Sequence, residues 1–275
     1  MPELPEVETT RLGLLPLLGQ TVAKVIIRNP AMRWPIPGHL PQTLLNQQLL
    51  ELKRRGKYIL ARFAINGVES GSLILHLGMS GRISLLQQDE PAAKHDHFDL
   101  HFIGGQVLRL RDPRRFGAVL WVEGDENGHA LLGVLGPEPL DAAFDGDWLY
   151  RQIRTRTAPI KNVIMDSHLV VGVGNIYASE SLFRAGINPL MPANKVSKVK
   201  CRRLVEEIKS TLQDALKAGG SSLRDFFGAD GNPGYFQQEY FVYGRTGQAC
   251  RKCSHPIKML RVGQRSTFYC TTCQR

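Results

Sequence analysis

The chain has 275 residues, more than one average domain requires, and 43% of them are hydrophobic, which is enough for ordinary packed cores. No run of 18 or more apolar residues occurs, which excludes a membrane-spanning helix. A formal net charge of +10 favours nucleic acid over an anionic membrane surface as the partner, and the absence of a secretory signal pattern predicts a cytoplasmic location.

A short helix is predicted at the start of the chain, and residues 21–123 then alternate in the manner of β-strands. The strand-like segments are 21–28, 49–63, 72–86, 98–111 and 118–123. Hairpin turns are indicated within two of these segments, at Arg55-Gly56-Lys57 and at Gly104-Gly105. Several short strands without intervening helices predict a β-sandwich or a barrel.

The alternating pattern ends at Gly124, where a connector that contains Gly, Pro and Asp begins. Helical periodicity follows at 147–155, 159–166, 175–186 and 197–217, and Gly219 provides a stop signal for the last helix. We therefore predict a β-rich domain with an N-terminal helix at 1–123, a connector at 124–150, a helical domain at 151–243 and a small C-terminal module at 244–275.

Four cysteines in the C-terminal module have the spacing C-x2-C-x16-C-x2-C, which is typical of a tetrahedral zinc site built from two knuckles. They are Cys250, Cys253, Cys270 and Cys273. We predict one structural Zn²⁺ per chain, with two disulfides as the alternative. Residues 244–275 contain seven Lys or Arg and no acid, so the zinc-bound module keeps about five positive charges and suits a polyanion. The fifth cysteine, Cys201, is predicted to be a buried apolar position.

The first residues offer a nucleophile if Met1 is removed, because Pro2 then carries a free secondary amine. An α-amino group titrates near about pH 8, and the positive end of a helix dipole raises its unprotonated fraction. Such an amine can attack an aldehyde carbon and form an iminium, and Glu3 could supply the acid or base. The alternative is an ordinary processed N-terminus with a helix cap.

Four polar residues share strand parity in the segment that follows residue 94, namely His95, His97, Asp99 and His101. One strand face bearing all four would be a possible metal cluster of a phosphodiesterase or other hydrolase. A solvated polar strand face is the alternative.

Seven motifs, in order along essentially the whole chain, resemble bacterial formamidopyrimidine-DNA glycosylases. They are MPELPEVE at the start, HLGMSGR at 76–82, KHDH at 94–97, DPRRFG at 112–117, VVGVGNIYASESLFRAGINP at 170–189, DGNPGYFQQE at 230–239 and QRSTFYC with its cysteines. The resemblance implies a multidomain α+β fold: an N-terminal β-sandwich, a helix-two-turn-helix domain and a C-terminal zinc-finger hairpin, with DNA held in the cleft between the two halves.

The resemblance also implies catalytic roles for four residues. Pro2 matches the family's nucleophile and Glu3 its general acid. Lys57 matches the catalytic lysine, although a solvated hairpin turn is the ordinary interpretation of its surroundings. Arg265 matches an arginine that reaches the lesion-site phosphate and assists the second elimination.

Further matches concern DNA contacts. Met79, Arg114 and Phe116 match residues that fill the space left by an extruded nucleotide, where the alternative is a strand-end turn with surface arginines and a packed Phe. His95, Arg156 and Asn175 match DNA-contacting positions, with a helix N-cap as the alternative for Asn175. The loop at 219–238 corresponds to the segment that covers the extruded base.

The function implied is that of a bifunctional DNA glycosylase and AP lyase of bacterial base excision repair. It would remove 8-oxoguanine and formamidopyrimidines through a Schiff base at Pro2 and cut the strand by β,δ-elimination. The expected partner is double-stranded DNA with damaged bases or abasic sites, met by a monomer in the nucleoid, without a membrane contact and without a nucleotide or redox cofactor.

Two alternatives remain open. One is an enzyme of the endonuclease VIII type, which acts on oxidised pyrimidines; Leu4, DPRRFG and the full GNPGYF loop favour the purine branch. The other is a non-catalytic zinc-ribbon protein that binds nucleic acid and needs no unblocked N-terminus.

Overall fold

The computed structural model describes residues 2–219 and 240–275, and the chain divides into two compact units. One unit includes Met1–Gly133, and the other includes Val134–Lys217 with Gln238–Arg275. The division falls inside the predicted connector, while the predicted domain bounds themselves stay predictions. Apart from Gly219, the loop predicted to cover an extruded base lies outside the described residues, as does the motif at 230–239.

The described residues of the first unit form two α-helices and eight strands. They are α1 (Leu4–Gly13), β1 (Val22–Ile27), α2 (Leu40–Leu44), β2 (Gln48–Arg55), β3 (Tyr58–Ile65), β4 (Val68–His76), β5 (Arg82–Leu86), β6 (Asp96–Phe102), β7 (Val107–Arg111) and β8 (Ala118–Val122). The strands form two four-stranded antiparallel sheets, ordered β1-β6-β7-β5 and β2-β3-β4-β8. The predicted sandwich is confirmed.

The core of this unit combines apolar side chains from both sheets with the inner face of α1. Val7 of α1, Phe63 of β3 and Phe98 of β6 are all essentially inaccessible and belong to one cluster. Alternation along the strands places these side chains on the inner faces, and their burial supplies most of the driving force for folding. The short helix α2 was not predicted, because five residues with buried leucines only at 40 and 44 give too little periodicity.

In the second unit, the residues that the structure describes form four α-helices and a two-stranded hairpin. They are α3 (Gly146–Ile153), α4 (Ile160–Ile164), α5 (Asn175–Arg184), α6 (Lys198–Lys217), β9 (Lys258–Val262) and β10 (Arg265–Tyr269). The predicted helical segments are confirmed, and Cys201 is buried on the inner face of α6 as expected. Gly219, at a φ of 76°, follows the end of α6. In the described part of the chain, no helix is long and apolar enough to cross a bilayer.

Candidate functional site

The N-terminal residues are fixed at the start of α1. Pro2 is half-buried and precedes Glu3, the N-cap residue, which is 1% exposed. Glu3 and Glu6 form a capping box, in which the Glu6 carboxylate accepts the Glu3 N–H at 2.8 Å. Glu6 is itself fully buried and was not among the predicted site residues, although an acid three residues after the cap is the sequence signal for such a box. The backbone beside Pro2 is therefore held in one conformation at the positive end of the helix dipole.

Two contacts align α1 with β2. Arg11 donates from Nη1 to the carbonyl of Leu52 at 3.1 Å, and Glu8 pairs with Arg54 at 3.3 Å. Because residues nearer the start of α1 contact residues nearer the end of β2, the helix points its N-terminus toward the β2–β3 turn. That turn contains Lys57, which is half-buried. Burial raises the pKa of Glu8, but the hydrogen bonds from Arg11 and the charge of Arg54 outweigh it and hold that pKa below its usual range.

His76 is a polar residue near Lys57 that the sequence interpretation missed. It ends β4 opposite Tyr58, with the two ring centroids 4.7 Å apart, and its Nδ1 accepts the Gly78 N–H at 3.1 Å. Burial, and then the positive charges of Lys57 and Arg33, lower the pKa of His76 to about 4. The ring is therefore neutral near pH 7, with its proton assigned to Nε2 because Nδ1 is an acceptor. In the sequence, the only indication of a role for His76 was its place as the first residue of the motif HLGMSGR.

The residues predicted to enter the duplex are presented on two turns. Met79 is 43% exposed and Phe116 is 41% exposed, and the Arg114 guanidinium carbon lies 4.7 Å from the centroid of the Phe116 ring. A large apolar side chain on a turn is more often buried. The alternative of a packed Phe is therefore wrong for Phe116, whose ring is available to another surface.

The region around His95 does not form the metal cluster considered above. His95 is half-buried, His97 contacts the carbonyl oxygen of Asp112 at 2.9 Å, and Asp99 accepts hydrogen bonds from Arg28 and Arg109. Burial raises the pKa of Asp99, but the hydrogen bonds of the two arginines hold it below its usual range.

Among the described residues, the groups with metal-ligand spacing are the four cysteines and a set formed by Asp89, Asp99 and His101. Asp99 already has two guanidinium partners, which repel a further cation. The hydrolase alternative is therefore not supported by this part of the structure, and His95 remains a predicted DNA contact.

Lys161 joins Asn175 to the hairpin that carries Arg265, and the sequence interpretation missed it. Its Nζ is buried and donates to Asn175 Oδ1 at 2.6 Å, to the Ser266 carbonyl at 3.0 Å and to Thr267 Oγ1 at 2.8 Å. The Asn175 amide also donates to the Ser266 carbonyl at 3.0 Å. Asn175 is the first residue of α5 and Gly174 is its N-cap, so the N-cap interpretation of Asn175 is wrong. Lys161 instead fixes the start of α5 against the hairpin.

Arg265 begins β10 and is exposed. It follows a tight turn in which Gly263 and Gln264 both have positive φ, 55° and 63°, as a two-residue hairpin turn of type I′ requires. A Cβ on Gly263 would lie 3.0 Å from the side-chain nitrogen of Asn162 on α4. The turn is therefore packed against a helix. Its backbone conformation and this contact with α4 together fix the position of Arg265.

Arg156 has an acidic partner that its own sequence neighbourhood did not indicate. It lies in an acid-free stretch, but its Nη1 donates to Asp166 Oδ2 at 2.8 Å. Burial raises the pKa of Asp166, but the hydrogen bonds from Arg156 and His168 hold it below its usual range. Both side chains are about one-third exposed, so the pair remains accessible to an anion.

The four predicted zinc ligands come together in the C-terminal module. Their sulfur atoms all lie within 4.8 Å of one another, with separations of 3.9 Å between Cys250 and Cys273 and 3.4 Å between Cys253 and Cys270. Zn–S bonds of about 2.3 Å in a tetrahedron place the sulfurs about 3.8 Å apart, whereas a disulfide requires about 2.05 Å. The donor set therefore fits one Zn²⁺, and the disulfide alternative is wrong.

Glu180 and Gln274 attach the zinc module, and the segment just before it, to the helical part of the unit. The carboxylate of Glu180 on α5 accepts the backbone N–H groups of Phe241, Val242 and Tyr243 at 2.8 to 3.0 Å. Gln274 donates to the Ile187 carbonyl at 2.9 Å and accepts the Cys270 N–H at 2.9 Å. The sequence interpretation missed Glu180, because its partners are backbone groups about 60 residues away.

Family models match three consecutive regions of the chain. The formamidopyrimidine-DNA glycosylase N-terminal domain matches residues 1–119, the formamidopyrimidine-DNA glycosylase H2TH domain matches residues 135–227, and a zinc finger found in FPG and IleRS matches residues 247–275. Together they span most of the chain.

Known proteins are similar over the full length. A formamidopyrimidine-DNA glycosylase of Methylobacillus flagellatus is 70% identical over 275 residues, covering 100% of this chain and 97% of the relative. The Lactococcus lactis enzyme in complex with DNA containing N7-benzyl-Fapy-dG has a TM-score of 0.90 at 34% identity, covering 100% of both chains. The same enzyme with abasic-site DNA has a TM-score of 0.90 at 33% identity, covering 99% of both chains.

Proposed function

Because the chain belongs to the formamidopyrimidine-DNA glycosylase family, we propose that this base excision repair enzyme removes oxidised purines through a Schiff base at Pro2. The enzyme is a DNA glycosylase and AP lyase. The observation that carries the proposal is the N-terminus, where Pro2 precedes a buried Glu3 whose backbone is fixed by Glu6. A terminal amine held rigidly beside a carboxyl group is the arrangement that imine chemistry requires.

The proposed reaction begins when the Pro2 nitrogen forms a bond to the sugar C1′. The bond from C1′ to the base breaks, and the base leaves with the electron pair and takes up the proton that the Pro2 nitrogen loses. Glu3 donates a proton to the ring oxygen as the sugar opens, which leaves an iminium between Pro2 and C1′. This iminium accepts electrons during elimination, first as C2′ loses a proton and the 3′ phosphate leaves, and then as C4′ loses a proton and the 5′ phosphate leaves.

Residues of both units are assigned to the DNA backbone. Arg156, Asn175 and Arg265 in the second unit are proposed to contact phosphates, with Arg265 also assisting the second elimination. In the first unit, His95 is proposed to contact DNA, and Lys57 to act as a catalytic or phosphate-contacting residue. A positively charged or amide side chain is suited to this task. Zn²⁺, when bound by the four cysteines, supplies structure to the hairpin, because all four protein ligands are thiolates and no coordination position is left for substrate.

The experiment that tests this function uses duplexes that carry one 8-oxoguanine, one oxidised pyrimidine or no lesion. The purine substrate should be cut fastest, with phosphates at both ends of the gap, since successive β- and δ-elimination removes the sugar. A product that ends in an unsaturated aldehyde would show that elimination stops after the first step. Faster cutting of the oxidised pyrimidine would favour the endonuclease VIII alternative, and no cutting of any lesion would favour a binding protein.

Phe116→Ala should impair excision from a damaged duplex about 10-fold or more while leaving cleavage of a preformed abasic site within about threefold of wild type. Extrusion of a base costs a few kcal/mol of stacking and pairing, and an inserted ring returns part of it. An abasic site has less stacking to lose. Single-turnover rates on the two substrates measure the difference.

The matched control for this prediction is Phe241→Ala, which removes a ring that stacks on Phe183 in the zinc-module cluster instead of one on an exposed turn. It should affect both substrates alike if it affects either. Equal losses on both substrates with Phe116→Ala would contradict insertion and indicate a general defect.

Arg265→Ala should flatten the dependence of log affinity on log salt by about one unit, because one phosphate contact and its released counterion are lost. Arg202→Ala is the control, since Arg202 is exposed in the same unit but already paired with Asp147 at 2.8 Å. Fluorescence anisotropy with an undamaged duplex across several salt concentrations measures both slopes. An unchanged slope with Arg265→Ala would mean that this cation does not contact a phosphate.

A further inference from the structure

A single buried carboxylate connects the two turns that carry Met79 and Phe116. Asp112 is fully buried. Its Oδ1 accepts the Ser80 hydroxyl at 2.8 Å and the Arg114 N–H at 3.3 Å, and its Oδ2 accepts the Gly117 N–H at 2.8 Å. One oxygen therefore holds the residue that follows Met79, and the other holds the residue that follows Phe116.

The two turns also touch through their backbones. Gly78 has a φ of 61°, and a Cβ placed on it would lie 2.4 Å from the carbonyl carbon of Phe116. A Cβ on Gly117 would lie 2.6 Å from the carbonyl oxygen of His76. Side chains at these glycines would force the turns apart, so the close contact and the hydrogen bonds to Asp112 define one arrangement.

The backbone of Asp112 extends the same network to the KHDH segment. Its N–H donates to the His95 carbonyl at 3.0 Å, and its carbonyl contacts His97 Nε2 at 2.9 Å. The same carbonyl accepts the N–H of Arg115, a residue with a φ of 58° that side chains rarely adopt. Hydrogen bonds to Asp112 thus stabilise the strained turn that contains Arg114, Arg115 and Phe116.

We propose that Ser80 and Asp112 are positioning residues that hold Met79, Arg114 and Phe116 as one preorganised unit for insertion into the duplex. This inference rests on the proposed function of those three side chains. Without the Ser80 hydrogen bond, the turn that carries Met79 has more conformational freedom before DNA binds. Part of that conformational entropy is then lost when the base is extruded, which raises the free energy of extrusion. The effect belongs to the extrusion step, because Ser80 and Asp112 do not need to touch DNA.

The test uses Ser80→Ala, which removes only the hydroxyl from a half-buried position. Excision of 8-oxoguanine from a duplex should slow about 10-fold, the size expected for one hydrogen bond to a charged group, while cleavage of an abasic site stays within about twofold. Ser80→Thr should restore excision, because it restores the hydroxyl. Ser84→Ala, at another half-buried serine of the same unit, should behave as wild type on both substrates.

Phe116→Ala measured in parallel separates the possible outcomes. If Phe116→Ala discriminates between the substrates and Ser80→Ala does not, insertion stands and the positioning role of Ser80 is wrong. If Ser80→Ala slows both substrates equally, or Ser80→Thr fails to restore excision, the role is also wrong. If neither variant discriminates, the insertion function fails, and the positioning role fails with it. Unfolding temperatures of each variant check that a loss of stability is not the cause.

Discussion

Inserting one alanine between Met1 and Pro2 should abolish the covalent complex with abasic DNA, lowering borohydride-trapped product by at least about 100-fold. The insertion leaves every side chain in place but converts the Pro2 nitrogen to an amide, whose lone pair is delocalised into the carbonyl and cannot attack carbon. It also moves the free amine one residue away from Glu3, which is fixed at the start of α1. Gel analysis of the trapped complex and mapping of the modified peptide measure the effect.

Two substitutions serve as controls for the insertion. Pro2→Gly keeps a terminal amine, although a primary one, so trapping should fall less than with the insertion. Glu3→Gln keeps the Pro2 amine and should still trap on a preformed abasic site, while release of a damaged base should be strongly impaired. An undiminished adduct in the insertion variant, mapping to a lysine such as Lys57, would show that Pro2 is not the nucleophile.

The strands and helices could be predicted because each has enough residues to show its own periodicity. Alternation along 49–63 and 98–111 gave the hairpins of both sheets, and helical spacing from Cys201 to Leu212 gave the buried face of α6. The five residues of α2 were too few for such a pattern. The assignment of strands to two sheets also depends on pairings between distant segments, such as β1 with β6, which local periodicity does not contain.

The same distinction applies to the candidate site, where local spacing predicted some residues and contacts between distant segments determine the others. The cysteine spacing predicted the zinc ligands, because the ligands of one knuckle are close in sequence as well as in space. Lys161, Glu180 and Asp112 act on groups far along the chain, and nothing in their own neighbourhoods indicates which groups those are. For the same reason Asp166 could not be predicted as the acidic partner of Arg156, because the residues around Arg156 include no acid.

Cys253→Ser should lower bound zinc from one equivalent per chain to well below one and reduce affinity for damaged duplex about 100-fold or more. The module has little apolar interior of its own, with Ile257 and Cys270 among its few buried side chains, so metal binding supplies most of its folding free energy. Loss of the metal frees the hairpin that presents Arg265. It also removes the Ser266 carbonyl and Thr267 hydroxyl from the buried Lys161 ammonium, which destabilises the adjoining start of α5.

Metal analysis, circular dichroism and DNA-binding anisotropy together measure this effect, with Cys201→Ala as the matched control. Cys201 is buried on α6 outside the ligand set, so that variant should keep one equivalent of zinc and near-normal DNA affinity even if its stability falls. A chelator should reproduce the Cys253→Ser phenotype in the wild-type protein, and added Zn²⁺ should reverse it. Full DNA affinity after verified removal of the metal would contradict a structural role, because the hairpin would then hold Arg265 in place without the ion.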